Sequence, residues 1–239
     1  MKTLLALLFL LPAVTQAKDV EAWDALLKAN VKDGKVNYKG FADSPDFAAF
    51  VAAIGTTDPA TLPSDDARLA FWINAYNALT ISGVLAAGEG VTSVSTIKPD
   101  FGFFKSKDYT VGGKKLALND IENEIIRPTF KDPRVHAALN CASISCPPLQ
   151  PFAFTADKVR DQLQTAMQAF VLDRSRNGID AAAKTVQLSS IFDWYKADFE
   201  AAGGVKAYLK GFMKDEAEKA ALDAATLAFA PYDWNLNKL

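Results

Sequence analysis

Three residues with chemistry to offer fall together: His136, Cys141 and Cys146 lie within 11 residues, and they are the chain's only histidine and its only two cysteines. A cysteine becomes a nucleophile when a nearby base or positive environment favours its thiolate. His136 could accept that proton while an amide or a carboxylate held its other ring nitrogen. If His136–Asn140 is extended, His136, Ala138 and Asn140 share one face and Cys141 starts on the other. A contact between His136 and Cys141 then requires a bend near Asn140. Two other fates are open to the thiols: a disulfide closing a small loop, which oxidation outside the cytoplasm would favour, or two inert thiols. CASISC lacks the two-residue separation of a redox CxxC, and one His with two Cys falls short of a metal motif, so no metal and no cofactor is assigned.

Other residues belong to the same question. Asn74 and Asn77 are three apart and share a helical face, so they either orient His136 or line a cleft, or else hydrogen-bond internally. Glu122 could support the imidazole, or pair with Arg134. Tyr76, Arg134, Ser143, Cys146 and Asp233 are candidate ligand contacts. Each has a plain alternative: core packing for Tyr76, ion pairing for Arg134, loop formation for Ser143, a turn at Asp233. No serine stands in a nucleophile motif, and Gly88, Gly90, Gly112 and Gly113 make no nucleotide-binding fingerprint.

The elements that must position these residues follow from periodicity. ARLAFWINAYNALTISGVLAAG predicts a helix of about five turns, capped by Asp65 or Asp66 and stopped by Gly88 and Gly90, apolar on several sides and therefore central. Shorter helices are expected over 20–29, over 45–54, over LNDIENEIIR until Pro128 ends it, and over TADKVRDQLQTAMQAFVLDR with Thr155 as cap. Val159, Leu163, Met167 and Phe170 form the inner face of the last. Asp33-Gly34 and Gly112-Gly113 read as tight turns between short strands. RVHAALN reads as an internal strand, 186–188 as another, and the terminus as a returning strand.

At the whole-chain level, MKTLLALLFLLPAVTQA has the order of a secretory signal with cleavage after Ala17, its apolar run being too short for a stable span. Residues 1–17 are thus a signal peptide and 18–239 one domain, periplasmic or extracellular. The domain is α+β, a single compact unit with a central apolar helix and a small, mainly antiparallel sheet. The 26 Lys plus Arg against 28 Asp plus Glu argue against capture of nucleic acid, and the 50% hydrophobic content argues against disorder.

The pieces DGKVNY (33–38), FWINAYNALTI (71–81), IENEIIR (121–127), RVHAALNCASISCPPL (134–149) and YDWNLN (232–237), in this order, resemble the DUF547 family, a set of domains named for unknown function. The resemblance implies that the Asn-bearing helix and the His–Cys segment share one architecture. It carries over His136, Cys141 and Cys146 as site candidates, with Asn74, Asn77, Glu122 and Asp233 beside them. A more distant similarity to papain-like or transglutaminase-like folds is that a central helix precedes a His-bearing segment. This helix carries FWINAYN where those enzymes place their cysteine, which leaves a relocated thiol or a noncatalytic relative. The expected enzyme is a thiol-dependent amide or ester hydrolase or acyl transferase. Cys141 would attack, His136 would move the proton, Asn74, Asn77 and Glu122 would support it, and the partner would be a peptide, amide or ester of the cell envelope. The alternative is a noncatalytic envelope domain whose loop is shaped by a Cys141–Cys146 disulfide.

Overall fold

The computed structural model describes residues 11–180 and 184–239. Of the expected signal peptide, residues 1–10 lie outside that range, and residues 11–17 belong to the backbone of α1 (Leu11–Asn30). A hairpin follows, β1 (Val31–Lys32) with β2 (Lys35–Val36). Its turn, Asp33-Gly34, has φ of 51° and 76°, the paired positive values of a type I′ connection. A Cβ on Gly34 would also lie 2.5 Å from Pro148 Cβ, so the turn packs directly on the segment following Cys146. Next come α2 (Tyr38–Ala42) and α3 (Pro45–Thr56), the latter capped by Ser44 with Pro45 in its first turn. Trp23 of α1 stacks on Phe50 of α3 at 5.1 Å, closing the amino-terminal layer.

The central helix α4 spans Asp65–Ala87. Its cap is Ser64, whose Oγ accepts the Ala67 N–H at 3.1 Å, rather than either of the following aspartates. Asp65 and Asp66 instead occupy the first turn, where they face the positive end of the helix dipole. Gly88 terminates it with φ of 94°, as expected. This is the one described helix long and apolar enough to cross a membrane, and 72% of the relevant window is buried inside the protein. That burial identifies a core helix.

Beyond α4 the chain forms short helical turns and α5 (Gly102–Lys105), then the hairpin β3 (Tyr109–Val111) and β4 (Lys114–Leu116) across Gly112-Gly113. A π-helical segment, Asp120–Ile126, leads into α6 (Arg127–Phe130). Pro128 therefore does not end the helix: it enters a fresh first turn, where its missing N–H is not needed. RVHAALN is not a strand. Pro133–Ala137 is a 3-10 helix started by Asp132, whose Oδ1 accepts the Arg134 N–H at 3.1 Å. Proline and an aspartate cap nucleate a helical turn, and an alanine-rich run with Val135 as its lone β-branched residue offers little to oppose it.

The long helix α7 begins at Val159, after a turn starting at Thr155, and ends at Leu172. Val159, Leu163, Met167 and Phe170 are buried along it. The rest is β5 (Gly178–Asp180), β6 (Thr185–Leu188), α8 (Ile191–Trp194), α9 (Lys196–Ala201), α10 (Val205–Lys210), α11 (Glu216–Ala224) and β7 (Thr226–Phe229). The fold is α+β, with the strands in three small sheets: two hairpins and the order β5-β6-β7. The one parallel pair, β6 with β7, is joined by the α8–α11 crossover.

Two apolar clusters share the interior. The larger surrounds α4; the smaller gathers Phe170, Phe192, Phe199 and Leu209. α7 serves both, with Val159 and Leu163 in the first and Met167 and Phe170 in the second. The His136 segment runs along the seam, since Val135 and Ala138 pack into one cluster and Ala137 into the other.

Candidate functional site

Asn77 of α4 fixes the backbone just beyond His136. Its Nδ2 donates to the Ala138 carbonyl at 2.9 Å and its Oδ1 accepts the Asn140 N–H at 2.8 Å. Asn140 then knots the following loop, donating to the Pro147 carbonyl at 2.8 Å and accepting the Ala142 N–H at 2.9 Å. Ala142, directly after Cys141, is held at φ 64° while 1% exposed. A left-handed alanine is strained and persists only where its surroundings impose it. The carboxyl-terminal segment supplies more of that constraint. Asn235 accepts the Ile144 N–H, Asn237 donates its own N–H to the Ala142 carbonyl, and the Asn237 side chain links Tyr38 to Asn140. The separated sequence pieces at 33–38, 134–149 and 232–237 thus converge on one loop.

The imidazole of His136 is 1% exposed as a side chain. Its Nε2 lies 2.8 Å from Asp198 Oδ2, and Arg127 grips the same carboxylate with two bonds, Nε to Oδ2 at 2.7 Å and Nη2 to Oδ1 at 3.0 Å. The hydrogen bond with His136, aided by Arg127, holds the Asp198 carboxyl well below the usual carboxylate range. An ionised acceptor at Nε2 makes that nitrogen the donor, which leaves Nδ1 as the ring nitrogen available for proton transfer. Nδ1 is buried without a hydrogen-bond partner and sits 3.9 Å from Glu122 Oε1. The ring also stacks on Tyr195, centroids 3.9 Å apart. Burial, then the charge of Glu122, pushes the Tyr195 phenol up, so it stays protonated.

Both cysteines are free. Cys146 is 3% exposed, and its Sγ accepts the Cys141 N–H at 2.9 Å. Cys141 Sγ lies 3.0 Å from Ser143 Oγ and 3.2 Å from Tyr232 Oη. Burial alone would raise the Cys141 thiol; hydrogen bonds from Cys146, Ser143 and Tyr232 outweigh it and bring the thiol down to about 7. Burial and the neighbouring Cys141 sulfur push Cys146 up. The two thiols are therefore shifted in opposite directions, Cys141 down and Cys146 up.

His136, Cys141 and Cys146 line one pocket of about 380 Å³ with Glu122, Tyr76 and Tyr195. Because 133–137 is helical and not extended, no bend at Asn140 is needed, and His136 and Cys141 share the pocket without a hydrogen bond between them. Of the other expected residues, Ser143 contacts the thiol from behind. Asn74 and Asn77 do not reach the ring: Asn74 binds both backbone groups of Phe154, at 2.7 and 3.0 Å, and accepts from Trp23. Arg134 pairs with Asp132 and reaches Gln164, away from the pocket. Asp233 makes a turn through the Asn235 N–H. Asp198 was missed, as were Tyr195 and Tyr232 as site residues. KADF at 196–199 carries no local signal, whereas Tyr232 stands in YDWNLN and was open to notice. Among the described residues, no group of three or more His, Cys, Asp or Glu is disposed to hold a metal.

No curated protein and no solved structure matches the chain. The family model described as "Protein of unknown function, DUF547" matches residues 60–171, the stretch holding α4, Glu122, His136 and both cysteines. The stretch in which the Asn-bearing helix is clamped onto the His–Cys loop is thus the part of the chain that matches the DUF547 family.

Proposed function

We propose that the pocket is the active site of a thiol-dependent hydrolase or acyl transferase acting on an ester or amide. The observation that carries this reading is a thiol lowered to about 7 lining the same pocket as an imidazole whose Nε2 is fixed by an ionised carboxylate. His136 Nδ1 takes the Cys141 proton as the sulfur attacks the carbonyl carbon, the bond to the leaving alkoxide or amine breaks, and Nδ1 passes that same proton to the leaving group. Water then attacks the thioester, giving its proton to Nδ1, and the acid departs as the thiolate is restored. Asp198 and Arg127 orient the ring; Ser143 and Tyr232 stabilise the sulfur. Asn77 acts only through the backbone.

The site would work outside the cytoplasm after cleavage at Ala17, which the order of charged, apolar and small residues in 1–17 supports. Amino-terminal sequencing of exported protein beginning at Lys18 is the expected result.

The test of the chemistry is the iodoacetamide rate at Cys141 across pH. The wild-type rate should rise with an inflection near pH 7. Tyr232→Phe, losing a bond to a charged sulfur, should move it up by about one pH unit, and His136→Ala should abolish ester turnover. A Cys141 that is bridged to Cys146 in the exported protein, two hydrogens lighter, or that titrates as an ordinary thiol, overturns the reading. The bridge would favour the noncatalytic envelope domain, and the Cys141 N–H to Cys146 Sγ contact at 2.9 Å makes it the reading to test against.

A further inference from the structure

The wall of this pocket has features that the thiol chemistry does not use. Trp194 is 47% exposed and Phe101 39% exposed, large apolar surfaces in the lining of the pocket. Trp194 lies nearly parallel to Trp234 at 5.6 Å, Phe101 meets Trp234 edge-on at 4.9 Å, and Tyr232 packs against both tryptophans. Phe101 is presented by two consecutive non-glycine residues in the left-handed region, Asp100 at φ 52° and itself at φ 57°. Such strain is sustained where it holds a side chain in place for use. Of the polar groups along this wall, Tyr232 Oη is held by Ser143 and Cys141 and Lys105 Nζ by the Asp100 carbonyl. Most of the remaining surface is aromatic, which a hydrocarbon covers without bringing a polar group of its own that needs a partner. At the floor, the buried, unpartnered Nδ1 of His136 marks where the polar, reacting end belongs.

We propose that the aromatic wall is an acyl-chain subsite, so that the substrate class is an ester or amide of an aliphatic carboxylic acid, its chain lying along Phe101, Trp194 and Trp234 with its carbonyl at Cys141. This rests on the thiol reading above. In the step it predicts, the Cys141 sulfur bonds to the acyl carbon, the carbon–oxygen or carbon–nitrogen bond breaks, and the alcohol or amine leaves with that electron pair and the proton that His136 took from the thiol.

The experiment uses p-nitrophenyl esters from acetate to octanoate on the whole protein, following p-nitrophenolate release and the mass of acylated Cys141, with iodoacetamide labelling run in parallel. The acylation rate should rise about fourfold per methylene until the pocket is filled. Phe101→Ala, an exposed change whose ring contact is with Trp234 and not with Tyr232, should flatten that rise while leaving the iodoacetamide rate at Cys141 intact. A rate level or falling with chain length, with iodoacetamide still labelling Cys141 near pH 7, overturns the acyl subsite and leaves the thiol reading standing. Failure of iodoacetamide to label Cys141 removes both.

Discussion

Asp198 shows how a residue with no motif around it can govern the one histidine. Its carboxylate receives His136 Nε2 at 2.8 Å and both arms of Arg127, and it lies 62 residues from the ring it orients. Because its folded pKa is depressed below the unfolded value, its contribution to stability is fully present above the ordinary carboxylate range. It is lost as pH falls through that range toward the folded value. Asp198→Asn should therefore unfold at lower urea than the wild type at neutral pH, and the gap between their midpoints should narrow below about pH 4. An equal gap at pH 3 and pH 7 would mean the carboxylate is not held low. At this same scale the sequence exposed the thiols and the histidine by their rarity and clustering. It hid Asp198, Tyr195 and Arg127's grip, because a charge contact between distant segments leaves no spacing to detect.

Elements set what those residues can do, and α4 does so with amides. Asn77 satisfies one backbone acceptor and one backbone donor, Ala138 O and Asn140 N, in a position 3% exposed. Asn77→Ala leaves both buried groups unpaired, at a cost of about 2–4 kcal/mol. Asn77→Asp should not rescue it, since a carboxylate would keep the bond from the Asn140 N–H but turn an oxygen toward the Ala138 carbonyl. Urea midpoints of the two variants check this, and a near-neutral Asn77→Ala would sink the clamp. Periodicity and turn chemistry foretold α4, α7 and both hairpins, since long apolar stripes and Asp-Gly or Gly-Gly pairs act locally. The same reasoning took 134–140 for a strand, because so short an apolar run does not distinguish extended from 3-10 backbone. The deciding features were Pro133 and the cap at Asp132.

Taken whole, the molecule places its reactive loop on the seam between two apolar clusters and lets each supply part of the site. Glu122, Tyr76 and the Asn77 clamp come from the side of α4; Tyr195 and Asp198 come from the smaller cluster's helices α8 and α9 and the turn joining them. The carboxyl-terminal segment then ties the loop down through Asn235, Asn237 and Tyr232. The family match ends at residue 171, so it holds both thiols and the imidazole but none of these later partners. A chain ending at Val171 should consequently fail as a cooperative unit: Met167 and Phe170 would lose the cluster that buries them, and the loop would lose its backbone partners. Its thermal transition should be broad, with weak near-ultraviolet circular dichroism. Cys141, without the Tyr232 hydroxyl and the fixed Ser143, should alkylate as an ordinary thiol, with an inflection of about 8.5 in place of about 7. A sharp transition with the low inflection retained would show instead that the reactive thiol is built entirely within the chain up to Val171, and that the segment beyond merely covers it.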